Sequence, residues 1–186
     1  MKKISLILLS LLFVFTLASC VKDDPYKDNG SRDEPEDDII IEVPGSILTL
    51  IEEDILESLS FSTISEDITG TTIVNIYVGK DDLNEEKFYA IRMEFMGRWD
   101  TVDFMVLIDK EQNQIVSLII VEESENWGSF ITMDSFLDQF PSKSVEFYLT
   151  NDVLLGIDGN SSATTTIGGI NASLEEAINY YKNNLE

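Results

Sequence analysis

Between residues 71 and 121 the chain runs through four apolar segments, at 71–78, 88–95, 101–108 and 114–121, with connections too short for a helix between them. Parallel neighbours need a crossover of about a dozen residues or more, whereas antiparallel neighbours can be joined by a tight turn. The connections are polar, Gly79-Lys80-Asp81-Asp82 and Lys110-Glu111-Gln112-Asn113 among them. This spacing predicts antiparallel hairpins. The expected fold class is therefore α+β, a twisted antiparallel sheet with flanking helices.

Helical periods appear on both sides of these segments. Leu48, Ile51, Ile55 and Leu59 recur three or four apart, with Glu52, Glu53, Asp54 and Glu57 between them, which predicts an amphipathic helix. A shorter helix is expected over 134–140, where Pro141 ends it. In the last segment Ala163, Ile167, Ile170, Leu174, Ala177, Ile178 and Tyr181 keep a period near 3.6 through Gly168 and Gly169. That places a C-terminal helix start close to Thr164 or Thr165, with a cluster of hydroxyls at its head.

The N-terminus carries an address. Lys2 and Lys3 precede an apolar run from Ile4 to Leu17, followed by Leu17-Ala18-Ser19-Cys20. Such a run is short of the roughly 20 residues of a membrane-spanning helix, and small residues before a cysteine suit a lipoprotein signal peptide cleaved ahead of Cys20. Cys20 is the chain's one cysteine, so no internal disulfide can form and its thiol is the expected lipid acceptor. Each acyl CH₂ buried in a bilayer contributes about 0.8 kcal/mol, and two or three chains make a stable anchor. Residues 1–19 are thus read as signal peptide, with the mature protein anchored in the lipid bilayer at the extracytoplasmic face of the cell membrane. Residues 20–45, rich in Asp, Glu, Pro and Gly, lack a regular period until Ile39 and are read as an acidic tether. About 25 such residues reach at most roughly 80 Å. Residues 46–186 suit one domain.

The net charge of −23 becomes −25 once residues 1–19, which hold two lysines and no acid, are removed. That balance leaves no footprint for nucleic acid. The absence of histidine rules out a Ser-His-Asp triad, a Cys-His pair, and histidine zinc or haem sites. The stretch from Asp109 to Gln114 has Gln114 where a calcium loop needs glycine and Ile120 where it needs glutamate, so it is a turn. No dinucleotide or nucleoside-triphosphate loop pattern occurs. Asn160-Ser161-Ser162 and Asn171-Ala172-Ser173 match the glycosylation sequon, but a bacterial lipobox argues against their use. No catalytic residue and no metal site is assigned.

The segment Asp158-Gly159-Asn160-Ser161-Ser162-Ala163-Thr164 puts a turn and hydroxyls directly before a helix, where unpaired N–H groups and the positive end of the helix dipole favour an anion. Capping by Ser161, Thr164, Thr165 or Thr166 is the plain alternative. The segment resembles the flavinylation motif of FMN-binding domains: an Asp, two variable residues, Ser or Thr, Gly, Ala and Thr. Asp158, Ser161, Ala163 and Thr164 match, and Ser162 stands where the family has glycine.

The resemblance extends over residues 72–184 and keeps the order of elements. The strand segments, Gly97, Glu123-Ser124 with Gly128, and Phe136-Leu137-Asp138-Gln139-Phe140 look like the family's strands, its Glu-Thr plus glycine loop and its short helix. It implies FMN joined to Thr164 by a phosphoester, installed from FAD by a magnesium-dependent flavin transferase. It also implies that Asp158, Ser161, Ser162, Ala163, Thr165 and Thr166 surround the attachment, with the C-terminal helix following that loop. Glu123, Ser124, Trp127, Leu154 and Leu155 are further candidates for contact with the cofactor, against ordinary packing as the alternative. By the same resemblance the protein is expected to carry electrons between a membrane dehydrogenase or electron-transfer complex and another acceptor. A non-redox surface lipoprotein with a degenerate domain and a flavin-dependent reductase component are the competing expectations.

Overall fold

The computed structural model describes residues 41–55, 59–64, 68–124, 128–150 and 164–186, all within the compact unit Ile39–Glu186. Its centre is a six-stranded antiparallel meander: β1 (Ile41–Glu42), β2 (Ser60–Ile64), β3 (Ile73–Lys80), β4 (Glu86–Met96), β5 (Thr101–Asp109) and β6 (Gln114–Glu123), with each strand beside its neighbours in sequence. Helix α1 (Gly45–Asp54) lies between β1 and β2 in the chain. The short helices α2 (Gly128–Ile131), α3 (Asp134–Leu137) and α4 (Val145–Thr150), and then the long α5 (Thr164–Asn184), follow β6. The fold is α+β, an antiparallel sheet with flanking helices and a C-terminal helix.

Side chains alternate across a strand, and here both faces of the sheet are covered. On one face Val78, Tyr89, Ile91, Met93, Phe104, Val106 and Ile108 share a core with Ile131 of α2, Phe136 of α3, Tyr148 of α4 and the apolar face of α5. On the other, Tyr77, Phe88, Ala90, Met105, Leu107 and Ile119 pack with Ile47 and Ile51 of α1. Because β5 has a helix layer on each side, Val102 through Ile108 are all buried, and apart from Asp103 they form the apolar run expected of a strand with both faces covered. Each large side chain buried this way contributes about 1.5–3 kcal/mol.

The second face ends in a polar corner. Asp103 is 6% exposed and accepts from Arg92 Nε at 2.9 and 3.1 Å, with Arg92 Nη2 also on its Oδ2. The forked guanidinium neutralises a carboxylate that burial would otherwise disfavour, and that carboxylate beside it raises the pKa of Arg92.

Four boundaries differ from the sequence expectation. The sheet starts before residue 46, since Ile41 and Glu42 pair with Thr63 and Ser62 and Val43 packs on the second core. Helix α1 presents Ile47 and Ile51, with Leu48 only half buried, and ends at Asp54 with Ile55 already extended. Leu59 therefore leads into β2 rather than completing a helical stripe. The first hairpin turns later than expected: β3 continues through Gly79 and Lys80, and Asp81 Oδ1 accepts from the N–H groups of Leu83 and Glu85. The helix expected over 134–140 ends at Leu137, with Phe140 still buried.

Candidate functional site

Helix α5 runs antiparallel to β4 across the first face. Tyr181 meets the Tyr89 ring edge-on at 5.7 Å. A Cβ built on Gly169 would stand 2.0 Å from the Phe95 ring. Since Phe95 pairs with Val102 and Val102 with Glu123, Gly169 is seated at the end of the sheet where β4 and β6 finish and β5 begins. Glycine at 169 is what allows backbone to approach that ring.

Thr164 is the first residue of α5, as the apolar period predicts, and is exposed. Thr165 is also exposed, whereas Thr166 is only 4% exposed. The three adjacent threonines therefore differ: the helix turns the third into the core and leaves the first two outward. The first turn of α5 contains no acidic residue, in a chain with 35 of them. An exposed threonine at the positive end of a helix of 21 residues whose first turn has no acidic side chain is chemically suited to a phosphate ester. In that respect Thr164 fits the group that the resemblance implies. Asp158, Ser161, Ser162, Ala163, Leu154, Leu155, Trp127 and Cys20, the expected lipid acceptor, lie outside the described residues.

Glu123 and Ser124 are adjacent in sequence but serve different faces. Glu123 shares the row of Phe95 and Val102, on the α5 side. It is half buried, and its Oε2 is buried without a hydrogen bond among the described residues. Ser124 instead helps line a cavity of about 150 Å³ with Glu94, Asp100, Thr101, Asp103 and Glu122, on the other face. Among the described residues no group of three or more acidic, histidine or cysteine side chains is placed to hold a metal ion. A larger cavity, about 320 Å³ and lined in part by Asp54, Phe88, Asp109 and Gln114, opens at the opposite end of the strands.

Sequence reasoning passed over Asn171. It is 7% exposed, and both atoms of its carboxamide are buried without a hydrogen-bond partner among the described residues. It sits between Ile167, Ile170 and Leu174 on the helix. In the sequence Asn171 shows only as a polar residue on an apolar stripe, within a match to the glycosylation sequon.

Comparison with family models found no match, and comparison with curated proteins found none either.

Proposed function

We propose that this protein is an extracytoplasmic flavoprotein anchored through Cys20, with FMN carried covalently on Thr164 and electrons passing between a membrane donor and a further acceptor. One observation carries the reading: in the register of the motif from Asp158 to Thr164, the final threonine is the exposed first residue of α5. Thr166, two positions later, is buried and out of reach of a modifying enzyme in the folded chain.

On this reading Thr164 would supply the hydroxyl that takes the FMN phosphoryl group from FAD, its Oγ1–P bond replacing the P–O–P bond, with AMP as the leaving group and the hydroxyl proton passing to the transferase. The chain's own contribution is a nucleophilic hydroxyl, backbone N–H groups at the helix N-terminus that favour the resulting phosphodiester anion, and a rigid seat made by α5 on the sheet. A flavin held there supplies electron exchange through its isoalloxazine ring. Covalent attachment prevents its loss outside the cytoplasm, and the acidic segment ahead of the domain gives it reach toward partners.

Co-expression with a flavin transferase tests this. Wild type is expected to gain the mass of one FMN less water, and Thr164→Ala to gain nothing while keeping a cooperative thermal transition, since loss of a cap costs only about 1 kcal/mol. Flavin mapped to Thr165 would move the attachment by one residue. An unmodified wild type would leave the alternative that Ser162, in place of glycine, favours: a surface lipoprotein that keeps the sheet without the flavin.

A further inference from the structure

Most buried polar groups in folded proteins have hydrogen-bond partners, and an unpaired one is destabilising enough to need a cause. Asn171 has two such atoms. A carboxamide both donates and accepts, so the environment around a side chain only 7% exposed leaves both capacities unmet among the described residues.

Its direction follows from helix geometry. Seven residues separate Asn171 from Thr164, and at about 100° per residue they return to within roughly 20° of the same direction, about 10 Å further along the axis. Gly168 falls between them on the same strip, and a Cβ built there meets nothing within 4 Å among the described residues. Thr164, Gly168 and Asn171 thus form a line: an exposed threonine, a length of backbone over which no described side chain lies, and a carboxamide unpartnered among the described residues.

The side of the helix is also fixed. Thr72, just before β3, donates from N and Oγ1 to Glu176 Oε2 at 2.9 and 2.6 Å, and Lys182 Nζ on the other flank meets Glu146 of α4 at 2.6 Å. Asn171 lies on the α4 flank, away from β3. Glu123, whose buried Oε2 is also unpartnered among the described residues, ends the outermost strand on that side of β4.

We propose that the Asn171 carboxamide is a positioning group for the flavin ring. With FMN on Thr164, the ribityl-phosphate arm follows the strip over Gly168, and Asn171 exchanges hydrogen bonds with the polar pyrimidine edge of the isoalloxazine, which presents N–H and C=O groups complementary to a carboxamide. This rests on the Thr164 reading. It adds a residue outside the motif and predicts an effect on ring electronics, because an N–H donated to that edge stabilises the charge acquired on reduction.

The test uses the full chain co-expressed with a flavin transferase, comparing wild type, Asn171→Leu and Gly168→Gln, with flavin load measured by mass so that every property is read per flavin. Without flavin, Asn171→Leu is expected to melt at or above wild type, because it removes two unpaired polar atoms. With flavin, its rise in melting temperature is expected to be smaller than that of wild type by about 3 °C, the shift for one lost hydrogen bond in a chain of this size. Its midpoint potential is expected to be more negative. Gly168→Gln, which fills the strip, should expose the ring to iodide quenching. Loaded Asn171→Leu with the wild-type potential and the wild-type thermal gain overturns the proposal while leaving Thr164 intact. A marked loss of stability in flavin-free Asn171→Leu also overturns it, since the carboxamide would then be satisfied by the protein itself. A wild-type chain that accepts no flavin removes the Thr164 reading, and this proposal with it.

Discussion

The two halves of α5 solve different problems. From Leu174 onward the helix is fastened to the rest of the chain: Leu174, Ala177, Ile178 and Tyr181 are each at most 1% exposed, and Lys182 bridges Glu146 and Glu186 at 2.6 Å each. From Thr164 to Asn171 the same helix has two exposed threonines, two adjacent glycines and an asparagine that nothing satisfies among the described residues. Glycine lowers helix stability by about 1 kcal/mol each relative to alanine, and an unpaired buried carboxamide costs more. The N-terminal half also buries Ile167 and Ile170, but its two glycines and unpaired carboxamide cost stability that the C-terminal half does not lose.

The largest expected effect therefore lies in the C-terminal half. Leu174→Ala removes a side chain 1% exposed and is expected to destabilise the domain by about 2–5 kcal/mol, read from denaturant unfolding at unchanged slope. A loss under about 1 kcal/mol would mean that the C-terminal half does not anchor the helix, and the contrast would fail.

Next come the paired glycines, whose environments differ although they are neighbours. Gly168→Ala gains helix propensity where a Cβ meets nothing within 4 Å among the described residues and is expected to stabilise the flavin-free protein by up to about 1 kcal/mol. Gly169→Ala gains the same propensity but drives a methyl into the Phe95 ring, which is held edge-on to buried Phe104 at 6.1 Å. Overpacking of this kind costs about 1–3 kcal/mol, so the net sign is expected to be destabilising. Phe95→Ala in the same chain should relieve it, a non-additivity that a double-mutant cycle measures. Equal effects at 168 and 169 would remove the argument that one glycine serves packing and the other leaves a surface open.

The same division explains what was legible in the sequence. The sheet could be read because its strands lie at short intervals, and α5 because seven apolar positions keep one period through two glycines. β1 escaped because two residues carry no period, and their pairing with β2 depends on a return of the chain after α1. The late turn after Lys80 depends on Asp81 capping its own loop, a local competition that alternation does not reveal. At the proposed site, the start of α5 at Thr164 could be read from the apolar period, while the role given to Thr164 rests on motif register. Asn171 could not be singled out, because a polar residue on an apolar stripe becomes informative only once its hydrogen bonds can be inspected.

Tyr181 provides the smallest expected effect and a control for Asn171. Its hydroxyl is also buried and unpartnered among the described residues, on a residue 0% exposed. The difference is in what surrounds the polar atom: the ring of Tyr181 packs against Tyr89 and contributes apolar burial that offsets one unsatisfied group, whereas Asn171 has little apolar surface to set against two. Tyr181→Phe keeps the ring and is expected to leave stability near neutral pH unchanged or slightly higher. The variants should separate in alkali. Burial, reinforced by the nearby Glu186 carboxylate, pushes the Tyr181 phenol up from 10.0 to about 12. The folded chain then holds a proton that the unfolded chain releases, so this contribution is complete below pH 10 and is lost as pH rises through about 12. Burial raises the phenol of Tyr148 as well, so Tyr181→Phe is expected to flatten the alkaline fall without abolishing it. Parallel pH profiles for the two proteins between pH 9 and 12 would show that the hydroxyl reaches solvent or a partner. Tyr181 would then no longer be a tolerated unsatisfied group against which the unsatisfied carboxamide of Asn171 could be judged.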